Sequence, residues 1–112
     1  MKTEILLAAQ RAATEKKASQ ITMLDVTGKS DICNYQMICS AANEKQTVAI
    51  ADAIEALCKA ELRISPAATE GKATGTWILL DYGSVILHVF YYQTREFYSL
   101  ESLWGHAKRI TD

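Results

Sequence analysis

Thr76-Trp77-Ile78-Leu79-Leu80-Asp81-Tyr82-Gly83-Ser84-Val85-Ile86-Leu87-His88-Val89-Phe90-Tyr91-Tyr92 is the stretch on which the fold turns. Two runs of aliphatic and aromatic residues, 77–81 and 85–90, flank Tyr82-Gly83-Ser84, and Gly83 is free to take the positive φ that a tight turn requires. The stretch therefore predicts a β-hairpin. With Tyr82 and Gly83 as a two-residue loop, Asp81 faces Ser84, Leu79 faces Ile86 and Trp77 faces His88. Side chains alternate across a strand, so one face collects Ile78, Leu80, Val85, Leu87 and Val89, all aliphatic. The opposite face collects Trp77, Leu79, Asp81, Ser84, Ile86, His88 and Phe90.

Working outward, Ile5, Ala9, Ala12, Ala13 and Lys16, with Leu6 beside them, recur at helical spacing and predict an amphipathic helix over 2–17. Its apolar stripe is mostly alanine, which permits close packing. Ile21 to Val26 reads as a strand ended by Thr27-Gly28, and Tyr35 to Ser40 as a second, buried strand. Asn43 followed by Gln46 three residues later is a capping-box pattern, and Thr47, Ile50, Ala51, Ile54, Leu57 and Cys58 line one face behind it. A helix over 44–61 follows. Arg63-Ile64-Ser65 is expected to be a brief strand stopped by Pro66, and 67–75 a loop by composition. At the far end, Leu100, Leu103 and Trp104 share one face of a predicted short helix within 95–104.

The expected architecture is a single α/β domain spanning residues 1–112, a small mixed β-sheet with helices mainly on one face. A chain of 112 residues with 49% hydrophobic and 22% charged residues has enough apolar material for one packed core. The aliphatic hairpin face wants the helices, which suffice to cover one side of a sheet. The mixed face is then left partly open. Apolar groups edged by Asp81 and His88 suit an interface with a polar rim. The same residues also suit a core, with Trp77 and Phe90 packed inside and His88 satisfied beside them; the residues alone leave both readings open.

Charge and cysteine usage narrow the function classes. Twelve Lys and Arg against thirteen Asp and Glu give a net charge of −1, with no basic run. Direct binding of RNA or DNA is disfavoured, whereas a basic protein partner is not. Three scattered cysteines, Cys33, Cys39 and Cys58, read as reduced thiols. With no signal-like N-terminus and no apolar run near the roughly 18 residues of a membrane span, the expected location is the cytoplasm.

Catalytic chemistry is not legible. No CxxC pair exists, the five glycines are scattered singly, and no cofactor or metal is expected. Nucleotidyl transfer needs a Gly-Ser pair and, a strand later, two carboxylates at i, i+2 to hold magnesium. Gly83-Ser84 is present, but Gln93-Thr94-Arg95-Glu96-Phe97 supplies one carboxylate only.

Several of these segments together carry a resemblance. Trp77 to Gly83, Val85 to Phe90 with His88-Val89-Phe90, Arg95-Glu96-Phe97-Tyr98 and Leu100-Glu101-Ser102-Leu103-Trp104 are similar to the ribosomal silencing factor (Iojap-like) family. Leu24-Asp25-Val26, Ala51-Asp52-Ala53 and Glu70-Gly71 fit the same pattern, so the likeness runs from about Ile21 to Trp104. It departs at Ser40-Ala41-Ala42-Asn43, where the family has Thr-Gly-x-Ser, and at Ala68, where the family has glycine. Both lie outside the hairpin.

The resemblance implies a fold like that of nucleotidyltransferases without their catalytic carboxylates. It implies a translation repressor that binds the large ribosomal subunit through large-subunit ribosomal protein fourteen and sterically blocks joining of the small subunit. It places partner binding on Trp77, Tyr82 and His88, with Gly83 and Tyr98 nearby, and favours the interface reading of the mixed face with Leu79, Ile86 and Phe90. Asp81 and Glu70 would meet basic groups and steer association. Two other classes stand against it: a nucleotide-binding or nucleotidyltransferase-like enzyme, and a self-associating scaffold pairing as a homodimer through the open sheet face.

Overall fold

The computed structural model describes residues 2–28 and 33–94, together with the backbone of 108–110. The elements run α1 (Lys2–Glu15), β1 (Ser19–Asp25), β2 (Tyr35–Ala41), α2 (Glu44–Leu62), β3 (Ala68–Glu70), β4 (Trp77–Asp81), β5 (Val85–Tyr91) and β6 (Lys108–Ile110). The strands form one sheet in the order β3-β4-β5-β2-β1-β6. Among the described residues, only β2 and β5 pair in parallel. Parallel neighbours need a long crossover, which α2 and the β3–β4 hairpin supply. The predicted helix within 95–104 lies outside the described residues.

Helix α2 starts where the capping pattern places it. The Asn43 side chain accepts from the Gln46 backbone N–H at 2.9 Å, and the Gln46 amide oxygen reaches back to the Ala42 N–H at 2.7 Å, one residue beyond the usual reciprocal partner. The Gln46 amide nitrogen also donates to the carbonyls of Lys16 and Lys17, tying the end of α1 to the start of α2. Helix α2 ends at Arg63, which takes the left-handed conformation at φ 58° while its N–H donates to Lys59 O. Arg63-Ile64-Ser65 is therefore a helix cap and not a strand. Ile64 is apolar because it packs under the cap against the core. The strand lies five residues later, at Ala68–Glu70, inside the segment expected to be loop.

Both helices cover one face of the sheet. Ala8, Ala9, Ala12 and Ala13 of α1 and Ile50, Ala51, Ile54 and Cys58 of α2 are buried in one core with Ile78, Leu80, Val85, Leu87 and Val89. The aliphatic hairpin face is thus the face under the helices, as the alternation predicts. The alanine stripe brings the helices together, and an exposed Arg11–Glu61 ion pair links them at the surface. A smaller core of Leu24, Val26, Cys33, Ile38 and Phe90 lies on the other face, with Trp77 and Ile86 packed against it.

The hairpin register differs from expectation by two residues. Asp81 pairs with Ile86, Leu79 with His88 and Trp77 with Phe90. Tyr82 N–H bonds Val85 O at 2.9 Å, so the tight turn is centred on Gly83-Ser84, with Gly83 at φ 85°. A two-residue displacement preserves the alternation, so the membership of both faces is unchanged.

Candidate functional site

The mixed face is built from β3, β4, β5, β2 and β1. Register places Glu70 beside Leu79 and Ala68 beside Asp81, so both β3 residues share the side of Trp77, Leu79 and Asp81. The parallel pairing places Gln36 beside Ile86 on that same side. Within β3, β4 and β5, the charged residues here are Glu70 and Asp81, with no lysine or arginine.

Openness is graded across the face. Trp77, Leu79, Asp81 and Ile86 are half-buried and Glu70 is exposed. Phe90 is 0% exposed and His88 6%. These two were expected to line an open surface; they are core, because Phe90 lies among Leu24, Val26, Cys33 and Ile38. The open part is therefore confined to the β3–β4 side and to Ile86. Tyr82 is also displaced from its expected place. The alternation carries it to the helix side, where its half-buried ring packs on the main core beside Cys58. Burial, reinforced by the neighbouring Cys58, holds its phenol above the ordinary tyrosine range. Gly83 is exposed at the turn, and its N–H bonds Asp81 Oδ1 at 2.7 Å. Tyr98 lies outside the described residues.

A hydrogen-bonded chain runs beneath the open part. Trp77 Nε1 donates to His88 Nδ1 at 3.1 Å, and His88 Nε2 lies 3.0 Å from Gln36 Oε1. An indole nitrogen only donates, so His88 Nδ1 must accept and the ring proton must sit on Nε2, donating to Gln36. The Gln36 amide nitrogen then faces Cys33 Sγ at 3.7 Å. Burial pushes the His88 pKa down to about 4, so the imidazole is neutral at physiological pH. Trp77 stacks on Phe90, ring centroids 4.9 Å apart. The indole's polar edge thus points into the protein, on a rigid aromatic base.

Gln36 was not singled out from the sequence. The available signal was a lone amide in an apolar strand, since a buried amide demands partners.

The supports of β4 lie on the helix side. Lys72 bridges Asp52 at 2.7 Å and Glu55 at 2.9 Å, pinning the loop before β4 to α2. The buried Thr47 hydroxyl lies 2.6 Å from Gly75 O and 2.7 Å from Glu44 O, fixing the same loop one turn away.

These features define a class: an α/β domain with helices roofing one side of a mixed sheet and a rigid, acidic and apolar patch on the other. Among the described residues, its distinguishing chemistry lies on a sheet face. The family model for "Ribosomal silencing factor during starvation" matches residues 2–112. The chain is 37% identical over 107 residues to the ribosomal silencing factor of Halalkalibacterium halodurans, covering 96% of this chain and 91% of that one. It is 39% identical over 103 residues to that of Bacillus subtilis, covering 92% and 86%. A crystal structure of a Chromobacterium violaceum protein superposes with a TM-score of 0.89 at 28% identity, covering 94% of this chain and 87% of the other. The chain belongs to the ribosomal silencing factor family.

Proposed function

We propose that this chain represses translation, without catalysis, by binding the large ribosomal subunit in the cytoplasm and blocking its association with the small subunit. Its partner there is large-subunit ribosomal protein fourteen, met by the open part of the mixed face. One observation carries the reading: Trp77, Leu79 and Ile86 form a half-buried apolar patch flanked by the carboxylates of Asp81 and Glu70, with no basic residue on β3, β4 or β5 of that side. Such a patch is complementary to a basic protein surface and repels nucleic-acid backbone. Burial of a large apolar side chain contributes roughly 1.5–3 kcal/mol, so a few anchors suffice for a specific complex.

The test is co-sedimentation of the pure chain with purified large subunits, paired with light-scattering measurement of subunit joining. The native chain should pellet with large subunits and slow joining, and Trp77→Ala should do neither while keeping its circular dichroism. A native chain that leaves joining unaffected overturns the reading. Sedimentation of the chain alone at micromolar concentration separates self-pairing through the same face from subunit binding.

A further inference from the structure

Residues 64–94, which supply β3, β4, β5 and the loops between them, contain two carboxylates, Glu70 and Asp81, and one lysine or arginine, Lys72. Lys72 lies two residues beyond Glu70, the exposed end of β3. We infer that Asp52 and Glu55 of α2 hold the Lys72 ammonium on the helix side and so keep the one local cation off the acidic patch of Glu70 and Asp81. This deepens the ribosomal reading and rests on it for what the patch meets.

A lysine carries its charge on a flexible four-carbon stem, so one placed two positions after a carboxylate is free to turn back and pair with it. Here the chain turns at Gly71, with φ 92°, and the Gly75 N–H bonds Gly71 O at 2.9 Å, closing the loop that carries Lys72. The Lys72 ammonium donates to Asp52 Oδ1 at 2.7 Å and lies 2.9 Å from Glu55 Oε1. Asp52 and Glu55 are three residues apart on α2, so their carboxylates share one helix face. Hydrogen bonding to Asp52, and then to Glu55, raises the Lys72 pKa above the ordinary lysine value. Lys72 and Glu55 are both half-buried, which makes it costly to leave that carboxylate without its counter-ion.

Among the described residues, no lysine or arginine pairs with Glu70 or Asp81. Were Lys72 to fold back onto Glu70, the hairpin would offer a basic partner one uncompensated carboxylate in place of two. Bound instead between two carboxylates, the ammonium leaves its own cluster net negative. Rim charges of this kind govern the rate of encounter, which falls as they are cancelled. Asp52 and Glu55 are thus positioning residues for the charge of a face they do not touch.

The test compares association of the full chain with purified large subunits at low and at physiological salt. Asp52→Ala with Glu55→Met keeps good helix formers and removes both acceptors. It should slow association roughly fivefold at low salt and less at physiological salt, with circular dichroism unchanged. Adding Lys72→Met to that pair should restore the native rate, because the loop stays unpinned while the cation is gone. Glu15→Gln with Glu61→Gln changes the net charge equally from elsewhere on the helices and should leave the rate near native. Independently of the ribosome, the Glu70 side-chain carboxyl carbon signal should move in the unpinned pair and return when Lys72→Met is added. If the first pair does not fold, Asp52→Asn with Glu55→Gln makes the same comparison. A native rate in the unpinned pair overturns the inference, as does slow association that persists after Lys72→Met, since loop geometry then governs. Equal slowing by the control pair, or an unmoved Glu70 signal, overturns it too. A native chain that fails to bind large subunits overturns the ribosomal reading; the Glu70 signal then still decides whether α2 keeps Lys72 from Glu70.

Discussion

Gly71 sits so close to the backbone of Trp77 that a Cβ built on it would lie 1.9 Å from the Trp77 carbonyl oxygen. Its φ of 92° is also one that side chains rarely adopt. The obstacle is backbone of β4, not a flexible side chain, so it cannot move without disturbing the strand that carries Trp77. Gly71→Ala should therefore cost about 3 kcal/mol or more, read as a fall in the urea midpoint. Gly83 has φ 85° but nothing within 4 Å of an added Cβ. Gly83→Ala should cost only the conformational strain, about 1–2 kcal/mol. Equal losses at the two positions would contradict the close approach at Gly71.

His88 makes stability depend on pH. Its native pKa lies near 4, below the ordinary value of 6.5, because burial disfavours the charged ring. The unfolded chain therefore takes up the proton first as pH falls. Stability contributed by the neutral ring is fully present above pH 6.5 and is lost as pH drops toward 4. At pH 5 the loss should be about 2 kcal/mol relative to pH 7.5. Urea unfolding of the native chain and of His88→Gln at the two pH values checks this. The extra acid sensitivity should vanish in the variant, and an identical pH slope in both would show that His88 is not its source.

Much of the hairpin was legible because pleat alternation survives an even displacement. The turn was misplaced by one residue and the pairing therefore by two, yet Ile78, Leu80, Val85, Leu87 and Val89 all lie under the helices. What composition hid has physical causes. Ala68–Glu70 is an exposed strand that, among the described strands, pairs only with β4, so it needs no apolar face and looks like loop. Ile64 looks like part of a strand because a cap needs an apolar anchor. The position of Phe90 and His88 in the second core depends on long-range neighbours such as Leu24 and Cys33, which local pattern does not supply. The likeness to nucleotidyltransferases remains an expectation compatible with the mixed sheet.

Trp77 and Phe90 share a stack but differ in burial, and their truncations should separate core from surface. Phe90 is fully buried, so Phe90→Ala should lower stability by about 3–5 kcal/mol through the cavity it leaves. Trp77 is half-buried, and Trp77→Ala should cost clearly less, about 1–2 kcal/mol, leaving a cooperative fold. Denaturant titrations of the pair measure the contrast. A Trp77→Ala loss as large as that of Phe90→Ala would move Trp77 into the core and remove it from the surface on which the proposed function rests.

Arg63 offers a stabilising change. It is exposed and ends α2 in the left-handed region at φ 58°, a conformation that costs an L-residue roughly 1–2 kcal/mol and glycine almost nothing. The cap bond runs from its backbone N–H to Lys59 O at 3.1 Å, which glycine keeps. Against the relief stands the greater freedom of glycine in the unfolded chain. The net effect of Arg63→Gly should be a gain of about 0.5–1 kcal/mol, seen as a higher urea midpoint with an unchanged slope. Arg63→Ala keeps the Cβ and should gain nothing. Because Arg63 lies at the end of α2, outside β3, β4 and β5, the glycine variant should pellet with large subunits as the native chain does.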